Sequence, residues 1–131
     1  MGSEFTFYDY IDDTGSNTIH SWLNSIDIRA KEKLNKRLLY LEGTSHGNWK
    51  RPLVDTLTDD CAGLFEVRAR LQGQQYRILG SHSIGQKTPT LLYAFIKKGD
   101  RVPADACQEA FRREAEISSS INKHRVVHNY E

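Results

Sequence analysis

Leu64–Lys98 reads LFEVRARLQGQQYRILGSHSIGQKTPTLLYAFIKK, and this stretch decides the fold. From Leu64 to Leu71 the residues alternate. Phe65, Val67 and Ala69 point one way; Glu66, Arg68 and Arg70 point the other. Period two is the mark of a half-buried strand. Gln72-Gly73-Gln74 is a short turn, and Gln75–Ser81 returns as a second strand carrying Tyr76, Arg77 and Ile78. His82–Pro89 holds Gly85 and a proline, both loop signals. Thr90–Ile96 is the most apolar run of the chain and stops at Lys97-Lys98. The stretch predicts a three-stranded meander.

Working outward, 131 residues suit one domain with a single core. Hydrophobic content of 38% and charged content of 27% fit a water-exposed globular domain, and no run approaches the length of a membrane span. The opening Met1-Gly2-Ser3-Glu4-Phe5 resembles an expression-vector remnant, which sets the domain at residues 6–117 with a tail over 118–131. No secretory signal is seen, so a cytoplasmic protein with Cys61 and Cys107 as reduced thiols is expected. The net charge of +1 hides an asymmetry. Residues 1–27 carry five acids and no Lys or Arg; the remainder carries 18 bases against 12 acids. A mildly basic domain permits an anionic partner such as nucleic acid.

Phe5–Ile11 alternates aromatic and polar residues and predicts a first strand. Ser16 or Asn17 can cap a helix over Thr18–Ser25, and Asp27 a second helix to about Glu42, stopped by Gly43. So short a join predicts a helical hairpin covering one face of the sheet. Thr44–Gly63 has no clear periodicity, which marks a functional loop or a hidden element. Pro103 opens a last helix, Ala104 to about Ile117, and the tail through His124, His128 and Tyr130 continues it or is disordered. Strands and helices do not alternate one for one. The expected class is therefore α+β: an antiparallel sheet of the N-terminal strand plus the meander, packed against the hairpin, with a C-terminal helix.

Arg68 and Arg77 are the first candidates for chemistry. Two guanidiniums on one sheet face can grip a phosphate and stabilise charge that develops on it. The ordinary alternative is pairing with Glu66 on a solvated face. Lys97-Lys98, at a strand end, suits phosphate contact or simple solubility. Lys50-Arg51 beside Trp49 joins charge to a ring on which a base could stack, unless Trp49 packs into the core edge. No Cys, His or carboxylate spacing completes a zinc set, and no P-loop, GxGxxG or GxSxG occurs, so no metal or cofactor is expected. A nucleophilic Cys61 has no local support.

Taken in order, GLFEVRARLQGQQYRIL, LLYAFIKKGDRVP and a helix bearing Ala106, Ala110 and Arg113 resemble the RelE-like toxin superfamily, nearest its phage-derived Gp49-like and HigB branch. The resemblance covers about Phe7–Ile117. It rests on Glu66 and Arg68, on Tyr76 and Arg77, on the run Leu91, Leu92, Phe95, Lys97 and Lys98, and on Pro103. It implies a type II toxin that inhibits translation as an mRNA interferase. Such a toxin cuts mRNA on the ribosome without a metal and is held by a cognate antitoxin, here of helix-turn-helix type. The 2′-hydroxyl attacks the adjoining phosphate, leaving a 2′,3′-cyclic phosphate and a 5′-hydroxyl. The resemblance further implies that Arg68 and Arg77 clamp the phosphate and that Lys97 and Lys98 position it or stabilise charge, with Lys50, Arg51, Arg70 and Arg101 as RNA contacts. Relatives use a Glu–His pair, or a Tyr or His near the C-terminus, for proton transfer. Here Gly99 follows the lysines, which leaves a lysine, Tyr93 or a tail residue for that step. A second reading keeps the fold as a non-catalytic RNA- or protein-binding module of a phage or prophage regulatory pair.

Overall fold

A computed structural model describes residues 4–99 and 102–131. The elements are β1 (Tyr8–Tyr10), α1 (Thr18–Ser25), α2 (Ile28–Glu42), β2 (Val54–Thr56), β3 (Phe65–Leu71), β4 (Gln74–Ser81), β5 (Thr90–Lys97), α3 (Ala104–Ser119), α4 (Ile121–His124) and β6 (Arg125–Val127). Two 3-10 turns, His46–Asn48 and Asp59–Cys61, flank β2. The class is α+β. The meander stands where the alternation places it, as three consecutive antiparallel strands.

The sheet is larger than expected, and mixed. Its order is β2-β3-β4-β5-β1-β6. β1 runs parallel to β5, with Tyr8 opposite Thr90, so the all-antiparallel expectation is corrected. β1 is also an inner strand, because β6 pairs outside it. Two elements escaped the sequence reading. β2, within the irregular segment, pairs Val54 with Val67. The tail neither extends α3 nor is disordered: α4 turns it back, and β6 closes the edge. Phe5, assigned to the remnant, is buried, and its N–H donates to the Glu42 carbonyl at 2.9 Å.

The helical hairpin forms as its caps dictate. The Asn17 side chain accepts from the His20 N–H at 2.8 Å, and Asp27 accepts from Arg29 N–H at 2.9 Å. Each such cap stabilises its helix by about 1 kcal/mol. Ile19, Leu23, Ala30, Leu34, Leu38 and Leu41 recur at helical spacing and pack on Val67, Ala69, Ile78 and Leu91. A second core lies on the opposite sheet face, where Ala106, Ala110 and Ile117 of α3 meet Tyr10, Leu79 and Leu92. Cys61 and Cys107 are joined as a disulfide between the second 3-10 turn and α3. This corrects the expectation of reduced thiols: 46 residues separate the two cysteines in sequence, and only the docking of α3 brings their Cα atoms to 5.5 Å. Among the described residues no helix is long and apolar enough to cross a membrane.

Candidate functional site

The site is best built as rows across the sheet, because directly opposed residues of antiparallel strands point to the same face. One row is Asp55 (β2), Glu66 (β3), Leu79 (β4) and Tyr93 (β5). The next is Arg68, Arg77 and Phe95. The third, near the β3–β4 turn, is Arg70, Gln75 and Lys97. All three rows face away from α1 and α2, whose contacts come from the alternate residues. α3 covers this face at Leu79 and Leu92. Arg113 of α3 places its guanidinium 5.1 Å from the Tyr93 ring centre and donates to the Leu92 carbonyl at 2.9 Å. Tyr93 in turn stacks on Phe95 at 6.0 Å.

The structure therefore brings Arg68, Arg77, Arg70 and Lys97 onto one face, with Lys98 exposed just beyond it. Arg68 and Arg77 do not project as two free cations. Glu66 is fully buried, and one of its oxygens lies 3.0 Å from Arg68 Nε and 3.4 Å from Arg77 Nε. The Glu66 partnership weighed from sequence is thus present, but on a buried group rather than a solvated face. The Arg77 side chain is only 8% exposed. It donates to the Tyr76 carbonyl at 3.1 Å and to the Gln75 side chain. Burial lowers the pKa of Arg77 from the usual arginine value, and Glu66 opposes that shift. Arg77 is thus a structural cation behind the face. Arg68, more open, also contacts Asp55 at 3.2 Å.

Asp55 is the residue that sequence reasoning missed. It bridges Arg68 and Arg51, the latter at 2.8 Å. Its hydrogen bond from Arg51 holds its carboxyl below the usual range, so it is an anion at neutral pH. Nothing in the run VDT separated it from a loop aspartate. Arg51 joins the site only through Asp55, and Lys50 is exposed in the preceding loop. Trp49 is no platform for a base. It packs 4.9 Å from Phe5 and 5.5 Å from Phe65, and its Nε1 donates to the Thr44 carbonyl at 3.0 Å. Arg101, the remaining candidate, lies outside the described residues.

The tail histidines do not reach the arginines. His128 is buried on the α2 side, with Nδ1 2.7 Å from Asp9 and Nε2 2.9 Å from Asn35. His124 faces the turn after β1, its Nδ1 2.9 Å from the Ile11 carbonyl. β6 stands three strand spacings from β4, ~14 Å. Tyr130 sits beside His128 at 4.6 Å. Of the groups considered for proton transfer, Tyr93 and Lys97 remain on the face.

The fold and site define a small α+β protein whose sheet face carries Arg68, Arg70 and Lys97 beside the carboxylates of Asp55 and Glu66. The profile of the phage-derived Gp49-like proteins (DUF891) matches residues 21–115, and the chain belongs to that family. It is a RelE-like toxin family, associated with toxin–antitoxin systems. No curated protein matches the chain significantly.

Proposed function

We propose that this protein is the toxin of a type II toxin–antitoxin pair, of HigB-like kind, and that it cleaves mRNA on the ribosome. One observation carries the reading: Arg68, Arg70 and Lys97 line an open sheet face in a family of toxins. RNA supplies one negative charge per phosphate, and cleavage adds charge to the phosphorane. In this reading Arg68 grips the scissile phosphate. Arg70, Lys97 and Lys98 follow the strand, with Lys50, Arg51 and Arg101 as outer contacts. Arg77 acts from behind: with Glu66 it fixes the angle of Arg68.

The step itself needs no metal. A base takes the proton of a 2′-hydroxyl, the oxygen attacks phosphorus, and the 5′-oxygen leaves with a proton. We assign the transfer to Tyr93 and Lys97, which flank Phe95 on the same face. A cognate antitoxin silences the toxin by covering these rows, and the site is cytoplasmic because its substrate is.

Primer extension on a message from cells expressing the protein without its antitoxin tests the reading. Discrete cuts that vanish in Arg68→Ala support it. Intact messages and unhindered growth with a soluble wild-type protein refute it. They would leave the non-catalytic binding module, in which charge reversal at Arg68 weakens partner binding alone.

A further inference from the structure

Two parts of the chain remote in sequence meet at the outer end of β1: the turn carrying Asp13, and the C-terminal region in which the last turns of α3 bring Glu116 and the end of α4 brings His124. One donor atom from each of the three residues lies within 4.8 Å of the other two. The spot is beyond β5 from the arginines of β3 and β4.

His124 is the best-positioned member. Its side chain is only 4% exposed. The Ile11 N–H donates to its carbonyl at 2.8 Å, and its ring Nδ1 lies 2.9 Å from the Ile11 carbonyl. A carbonyl only accepts, so Nδ1 carries a proton and Nε2 is the ring atom left to meet a ligand. That nitrogen lies 3.6 Å from Asp13 Oδ1, beyond hydrogen-bond reach. A proton on Nε2 or a cation bound between the two groups makes this approach favourable, and the three-ligand cluster offers a place for the cation. The separation is near the ~3.4 Å expected between neighbouring ligands of a tetrahedral ion with bonds of about 2.1 Å. A backbone carbonyl on the second ring nitrogen is the usual way such a ligand is oriented. Glu116 is likewise held, by the Tyr10 hydroxyl.

We propose that Asp13, Glu116 and His124 form a site for a divalent transition ion, with zinc the best match to one imidazole and two carboxylates. Water completes the coordination. Asp13, with a side chain 70% exposed, closes the remaining gap by rotation and gives the ion its way in. Lys123 lies 3.7 Å from Asp13, and Arg112 lies 3.7 Å from Glu116. The cation of each pair is exposed, so both pairs are of small worth, and Lys123 and Arg112 swing aside when the ion enters. The ion clips the C-terminal segment to β1 and α3. It takes no part in the RNA step and does not depend on that step being real.

The test uses untagged full-length protein, freed of metal by dialysis against a chelator. Zinc is then titrated in competition with a chromophoric chelator, and cobalt is added separately for its visible spectrum. The expected result is one equivalent of zinc per chain, a four-coordinate cobalt spectrum, and a shift of the His124 Nε2 signal by NMR. Asp13→Asn and Glu116→Gln, both with unchanged circular dichroism, weaken zinc about tenfold or more. No binding by wild-type protein, or binding equal in wild type and Asp13→Asn, overturns the proposal. The first result assigns the cluster to a protonated imidazole between carboxylates. The second places the ion elsewhere, for example at His46 and His82, whose rings are 4.7 Å apart.

Discussion

Glu66→Leu is the perturbation that separates a solvated charge from a buried one. Glu66 is fully buried between two guanidiniums, and Arg77 is buried beside it. Removing Glu66 leaves Arg68 with Asp55 at 3.2 Å, but leaves Arg77 with only neutral acceptors at Tyr76 and Gln75. An uncompensated buried charge costs about 3–5 kcal/mol. Arg77→Leu should cost less, about 1–3 kcal/mol, because Glu66 keeps Arg68 Nε at 3.0 Å. The double variant exchanges a buried ion pair for packed apolar atoms, a change that is often near neutral. The two single costs therefore should not add; the shortfall is about 4–8 kcal/mol. Urea unfolding at neutral pH measures it, with the slope checked for constancy so that the midpoint reports stability. If the costs add within about 0.5 kcal/mol, or Glu66→Leu is no worse than Arg77→Leu, the buried-pair account is wrong. The result also governs how toxicity data are read. Arg77→Ala relieves growth arrest if it merely unfolds the protein, so Arg68 and Arg70 are the cleaner probes.

Three further outcomes are expected. Reducing the Cys61–Cys107 bond, which spans 46 residues, lowers stability by about 4 kcal/mol on the chain-entropy estimate, and a melt with and without reductant reads it. An unchanged melting temperature would mean that α3 docks equally well without the bond. His82 is exposed on one side, and the rings of Phe5, Trp49 and Phe65 keep water from the other; that partial desolvation, with His46 adding repulsion, pushes its pKa down from 6.5 to about 4. The neutral ring therefore contributes stability that is complete above pH ~6.5 and is lost as pH falls toward 4, because only the unfolded chain takes up the proton in that window. NMR titration should give the low midpoint, and His82→Gln should flatten that part of the stability profile; a midpoint near 6.5 contradicts the packing. Gly80→Ala should cost about 1–3 kcal/mol, since a Cβ there would sit 2.4 Å from the Phe65 ring and 2.8 Å from the Thr90 carbonyl oxygen. A neutral substitution would show that β4 can move away from β5 at that point.

What could be read in the sequence follows what is local. β3, β4 and β5 carry period-two or continuous apolar patterns, and α1 and α2 carry caps, so both were legible within a residue or two. β2 and β6 are three residues each, too short for any period, and exist only because a neighbouring strand pairs with them. The parallel contact of β1 with β5 is long-range and leaves no local trace. The alternation in β3 was read correctly as two faces, yet it placed Glu66 in water. Burial of Glu66 depends on the guanidiniums of Arg68 and Arg77 and on β2 pairing beside β3, which no strand pattern encodes. The arginines were found as residues, while their inequality, Arg68 open and Arg77 enclosed, became visible only in three dimensions. The same limit hid the cluster of Asp13, Glu116 and His124, because only the fold brings Asp13 to the other two.

The central claim is that the open rows of this sheet cut RNA through its own 2′-hydroxyl. The most direct measurement incubates the purified protein with ribosomes holding a defined message and then determines the chemistry of the new ends. The expected products are a 2′,3′-cyclic phosphate upstream and a 5′-hydroxyl downstream, unaffected by a zinc-selective chelator and lost in Arg68→Ala at unchanged stability. A 5′-phosphate at the cut, or a message left whole by the folded protein, would contradict it.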